Sequence, residues 1–82
     1  MKVAVIMGST SDLSKVESAI GILKDYGVEV SVRCLSAHRA NEGLSSFIKE
    51  TETDGTEVII AAAGMAAALP GVIASQTILP VI

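Results

Sequence analysis

A single histidine stands among the 82 residues, next to an arginine in the tetrapeptide Ser36-Ala37-His38-Arg39. An imidazole with a reference pKa of about 6.5 is roughly three-quarters neutral at pH 7. A neighbouring guanidinium lowers that value further. A neutral imidazole beside a ligand can take up a proton and return it, which makes His38 the candidate general acid/base. One histidine cannot build a multi-histidine metal site, and one cysteine, Cys34, allows neither an internal disulfide nor a cysteine-based zinc site. Cys34 itself reads as a small buried apolar residue within a strand. No other nucleophile stands out.

Two further stretches hold residues suited to binding. In "GSTSD", residues 8–12, Gly8 lets the backbone come close to a ligand, and Ser9, Thr10 and Ser11 bring hydroxyls to the start of a helix. Free N–H groups at such a start suit a phosphate, although serine-rich turns also cap helices without binding anything. The pattern is neither a Walker loop nor G-x-G-x-x-G. Asp12 either caps its helix or accepts hydrogen bonds from ribose hydroxyls or a ring amine. Arg39 either pairs with a phosphate or carboxylate or is a solvated surface arginine. "GMAAALPG", residues 64–71, either covers a planar ligand or an oxyanion or serves close helix–sheet packing.

The elements that must position these stretches follow from hydrophobic spacing. "KVAVIM", residues 2–7, is a continuous β-favouring run, as expected of a strand covered on both faces. From Leu13 apolar residues recur at Val16, Ile20 and Leu23, a helix capped by Ser11 or Asp12 and stopped at Gly27. Residues 28–35 form a second strand. Asn41 caps a second helix bearing Leu44, Phe47 and Ile48, which ends near Gly55. Residues 57–63 form a third buried strand, Pro70 suits the first turn of a short third helix, and "LPVI" begins a fourth strand. This β-α-β-α-β-α-β order predicts a three-layer α/β/α sandwich on a parallel sheet, of flavodoxin-like or Rossmann-like type. In such a sheet all strand carboxyl ends lie on one edge, so the three stretches converge on one rim, where ligands bind.

Composition narrows the function classes. The net charge is −3, and six basic residues without aromatic interleaving make a poor nucleic-acid footprint. From Val58 to Ile82 no residue is charged, but Gly64, Pro70, Gly71, Gln76 and Pro80 argue for strand, loop and short helix over a membrane span. No signal peptide is evident, since Gly8 and Ser9 interrupt the opening apolar run; a reducing cytoplasm is expected. Half of the residues are hydrophobic and mean hydropathy is +0.58. A chain this short buries only roughly 60–65% of its unfolded surface, so part of the apolar surface is expected to meet other subunits or further residues. Residues 1–82 are expected to form one domain, incomplete at its C-terminus, with the sheet cut after the start of strand four.

Taken together, "MGSTSD" (7–12), "SAHR" (36–39) and "AGMAAALPG" (63–71) resemble the N5-carboxyaminoimidazole ribonucleotide mutase family of purine biosynthesis, at matching separations along the whole chain. The resemblance implies transfer of a carboxylate from an exocyclic nitrogen to an imidazole ring carbon, with His38 as acid/base. It places Ser9 and Asp12 at the ribose-phosphate end of the substrate. Ser36, Ala37 and Arg39 fall in the substrate-binding segment, and Gly64 through Leu69 in the loop over the base and carbon dioxide pocket. It implies no metal or other cofactor, a ribonucleotide substrate, and a homo-oligomer, an octamer in the family. Three departures stand out: Ala68 replaces a common second histidine, Met65 a common glycine, and Ala40-Asn41 a common Thr-Pro. The first bears on substrate anchoring or loop order rather than on the catalytic histidine. The alternatives are a carboxylase acting on free carbon dioxide, or a truncated, non-catalytic fragment that binds a nucleotide or pairs with other subunits.

Overall fold

The computed structural model describes residues 1–36, 41–64 and 68–82. Three strands, β1 (Lys2–Met7), β2 (Glu29–Cys34) and β3 (Thr56–Ala62), form one parallel sheet in the order β2-β1-β3. β1, the most uniformly apolar strand, is the central one, and Val3 to Met7 are all buried. Three helices connect and follow the strands: α1 (Leu13–Asp25), α2 (Asn41–Thr51) and α3 (Leu69–Ala74).

The order of strands divides the helices between two faces. From β1 the chain steps to one side through α1, then crosses back past β1 through α2. Since parallel crossovers are right-handed, the reversal puts α1 and α2 on opposite faces. The packing agrees. Val3 and Val5 meet Val16, Ile20 and Leu23 of α1, whereas Ala4, Ile6 and Ile59 meet Leu44, Phe47 and Ile48 of α2 and Leu69 and Ile73 of α3. Ile6, Leu44, Ile48, Ile59 and Ile73 are fully buried, each contributing about 1.5–3 kcal/mol by removal from water.

The expected fourth strand is present as a short parallel pairing. Val81 bridges Ile59; the Ile59 amide donates to the Pro80 carbonyl at 2.9 Å and the Ala61 amide to the Ile82 carbonyl at 2.9 Å. The pairing extends the order to β2-β1-β3 followed by residues 80–82.

At the amino ends of the strands Lys2 ties three elements together, lying 3.0 Å from Asp54 and 3.5 Å from Glu29. Asp54 also accepts from the Thr56 hydroxyl at 2.6 Å and the Thr56 amide at 3.0 Å. The Thr56 hydrogen bond, with Lys2 behind it, holds the Asp54 carboxyl below its usual range, while Asp54 raises the Lys2 ammonium above its own. Gly27 and Gly55 end the turns before β2 and β3 at φ 78° and 90°, a backbone region costly to any residue with a Cβ.

Cys34 corrects one expectation. It is exposed, at the last position of edge strand β2. Among the described residues no strand pairs with the outer edge of β2. Among the described residues, no helix is long and apolar enough to cross a membrane.

Candidate active site

The carboxyl ends of the three strands share one rim, stitched together by backbone hydrogen bonds. The Gly8 amide donates to the Ala62 carbonyl at 3.1 Å, joining the exits of β1 and β3. The Leu35 amide donates to the Met7 carbonyl at 2.8 Å, joining the exits of β2 and β1. The reversal of strand order at β1 opens the crevice in which such sheets take their ligands.

The first rim segment is built around Ser9. Its backbone is extended, with φ −151° and ψ 149°, and a 3-10 turn, Thr10–Asp12, follows. The Ser9 hydroxyl accepts from the Ser11 amide at 3.3 Å, and the Ser9 amide donates to Asp12 Oδ2 at 3.2 Å. This is a capping box: Ser9 serves the turn, and the carboxylate three residues on reaches back to Ser9. Ser9 thus caps the 3-10 turn, while Asp12, one of the two expected caps, stands at the N-cap position of α1. Asp12 occupies the position before Leu13 but makes no side-chain cap on α1. Its residue is 7% exposed, so its carboxylate sits in the floor of the rim rather than above it.

Gly8 has neither a positive φ nor a crowded neighbourhood. A Cβ there would meet only Leu69 Cδ2, at the ordinary contact distance of 3.9 Å. At Gly64 a Cβ would meet nothing within 4 Å. The described fold thus requires glycine at neither place.

In the second segment Ser36 is half-buried just past β2. Ala37, His38 and Arg39, together with the side chain of Asn41, lie outside the described residues. In the third, Ala63 packs against the α2/α3 core, Gly64 and Ala68 are exposed, and Leu69 is 3% exposed within the core. The Leu69 side chain therefore anchors α3 under the rim. Ala68, where the resembled family commonly has histidine, precedes α3 with no side-chain cap, and Pro70 lies in the first turn. Ser9, Asp12, Gly64 and Leu69 are thus placed on or directly beneath the same rim. Among the described residues no group of three or more His, Cys, Asp or Glu is arranged to hold a metal ion.

One rim feature went unread in the sequence. The Arg33 guanidinium lies 4.8 Å from the centroid of the Phe47 ring, linking the end of β2 to α2. The alternation of "VEVSVRCL" carries the signal: Arg33 shares a face with Leu35, the side on which α2 packs.

A three-stranded parallel sheet continued beside β3, with helices on both faces, defines a flavodoxin-like α/β protein. Within that class, a family model described as AIR carboxylase matches residues 2–82, and the chain belongs to this family. It is 53% identical over 81 residues to the N5-carboxyaminoimidazole ribonucleotide mutase of Saccharolobus solfataricus, covering 99% of this chain and 51% of that protein. It is 46% identical over 80 residues to the phosphoribosylaminoimidazole carboxylase of Saccharomyces cerevisiae, covering 98% of this chain and 14% of that protein. The crystal structure of Treponema denticola PurE superposes with a TM-score of 0.92 at 34% identity, covering 99% of this chain and 52% of that one. The chain spans about half the length of the curated mutases it matches.

Proposed function

We propose that this chain supplies the N-terminal half of an N5-carboxyaminoimidazole ribonucleotide mutase site, with His38 as its acid/base. The observation that carries the reading is the meeting of residues 8–12 with the exit of β3 at Gly64 and with Leu69 on one rim, joined by the Gly8–Ala62 hydrogen bond, in a chain of the matching family. The reaction is an isomerisation. The carbamate loses carbon dioxide and its nitrogen gains a proton; the ring carbon gains the carbon dioxide and loses a proton. One imidazole that gives the first proton and takes the second balances the cycle, so a single histidine suffices.

Ser9 and Asp12 hold the ribose-phosphate end in this reading. The capping box fixes Ser9, and an exposed hydroxyl beside a helix start is matched to an anionic oxygen. Ser36, Ala37 and Arg39 bind from the second segment. Glycine at positions 8 and 64, which packing does not require, leaves room for a ligand to approach the backbone. The Leu69 side chain supports the third segment from below. No cofactor enters the scheme.

The name of the yeast relative favours a second reading, direct carboxylation by free carbon dioxide. Assaying the chain with N5-carboxyaminoimidazole ribonucleotide, and separately with aminoimidazole ribonucleotide and bicarbonate, decides between the two. Turnover of the first substrate alone supports the mutase; turnover of the second alone supports the carboxylase. Binding of ribonucleotide without turnover of either identifies a non-catalytic fragment. Assembly with other subunits in the cytoplasm belongs to the same proposal. Ile22, Tyr26, Ile78 and Ile82 are between 57% and 94% exposed and offer apolar side chains to such contacts.

A further inference from the structure

We propose that the sheet face over β3 and residues 80–82, on the side of α1, seats one amphipathic helix from the part of the family's length that these 82 residues do not span. The proposal rests on family membership rather than on the mutase reading, so a failed activity assay leaves it standing. The two faces of the sheet are covered unequally. On the α2/α3 side the cover runs out to the last pairing: Ile59 is fully buried, and Val81 packs against the same core. On the α1 side it fades across the sheet. Val3 and Val5 of β1 are buried, Val58 and Ile60 of β3 are half-buried at the margin of the α1 cluster, and Ile82 is 76% exposed. Pro80 and Ile82 alternate with Val81, so they stand on the α1 side, and Pro80 too is exposed.

All-parallel sheets occur almost only with both faces covered. Val58, Ile60, Pro80 and Ile82 make an uncharged apolar strip two strands wide. Neighbouring strands lie about 4.8 Å apart, so the strip is about 10 Å across, the width of one α-helix. Topology indicates how such a helix arrives. From β2 through α2 to β3, and from β3 through α3 to residues 80–82, the chain moves one way across the sheet with both helices on one face. A right-handed crossover to any further strand on that side uses the same face again. The open strip is therefore left for a helix that returns across the sheet after the outward run. The matched relatives have the length to supply it: this chain spans 51% of the Saccharolobus mutase and 52% of Treponema denticola PurE. The helix side that fits the strip carries apolar residues at i, i+3, i+4 and i+7.

The test places a single thiol on the strip. In a Cys34→Ser background, Pro80→Cys and, separately, Ile82→Cys are labelled with a water-soluble maleimide. Each is compared in the 82-residue chain and in that chain joined to the second half of the Saccharolobus relative. Either thiol should react freely in the 82-residue chain at every protein concentration, and at least about 10-fold more slowly in the joined protein. Equal labelling in the two proteins overturns the proposal. So does labelling of the 82-residue chain that slows as its concentration rises, because a second copy would then be the occupant. A joined protein without the introduced cysteine that does not fold, or melts no higher than the 82-residue chain, also overturns it, since burying the strip must stabilise the sheet. If one cysteine variant does not fold, the other decides.

Discussion

Asp12 offers a perturbation in which structure and binding can be separated. Its carboxylate closes the capping box by accepting the Ser9 amide at 3.2 Å, and the residue is 7% exposed. Asp12→Ala removes the acceptor and leaves the part-buried Ser9 N–H without that partner. Loss of a capping side chain costs about 0.5–2 kcal/mol, and the burial of this one places the expected loss in the upper half, about 1–2 kcal/mol. With a urea m-value of about 1 kcal/mol/M for a small domain, the unfolding midpoint should fall by roughly 1–2 M. Asp12→Asn keeps a carbonyl oxygen in the same place and should stay within about 0.5 kcal/mol of the wild type. Urea titrations followed by circular dichroism measure both. Calorimetric titration with ribose 5-phosphate then reads the second role. If Asp12 also accepts ribose hydroxyls, Asp12→Asn should bind more weakly at near-wild-type stability. An Asp12→Ala chain as stable as the wild type would refute the capping argument. An Asp12→Asn chain that binds like the wild type would confine Asp12 to structure.

Three other outcomes follow from the fold. Ile59 is fully buried on the α2/α3 face, so Ile59→Ala should cost about 2–5 kcal/mol in a denaturant titration, enough to unfold a marginal chain. Gly27→Ala forces a Cβ into φ 78° and should destabilise by about 1 kcal/mol or more, read as a lower melting temperature, although open space surrounds the site. The depressed Asp54 carboxyl contributes stability above the unfolded aspartate value of about 3.9, and this is lost as the pH falls through its lower folded value. The raised Lys2 ammonium contributes below its unfolded value, and this is lost as the pH rises through its higher folded one. Unfolding free energies measured from pH 2 to 7 should therefore drop less steeply at the acid end in Asp54→Asn than in the wild type.

Much of the architecture could be read because period and composition agree. The unbroken apolar run at Val3 to Met7 demanded cover on both faces, and β1 is indeed the buried centre of the sheet. The spacing of Leu44, Phe47 and Ile48 gave α2 its buried face. Strand order was harder, since pairing partners are non-local. The alternation of Glu29, Ser31 and Arg33 with valines nevertheless marks a strand less covered than β1, but Cys34 stands in phase with the valines, so its exposure at the strand's last position was not legible from that pattern. Asp12 takes the expected N-cap position of α1, but the 3-10 turn capped by Ser9 went unread because hydrophobic period cannot distinguish it from the first turn of an α-helix. At the rim, the convergence of the strand exits followed from topology alone. The burial of Leu69 did not, because a leucine before proline at a helix start reads equally well as lining or as anchor.

The central claim concerns one imidazole. Residues 1–82 can be joined to the second half of the Saccharolobus relative, and the product assayed with N5-carboxyaminoimidazole ribonucleotide before and after His38→Asn. The account predicts a fall in turnover of about 10²- to 10⁴-fold, with substrate affinity within a few-fold of the parent. Undiminished turnover in the His38→Asn protein would contradict it.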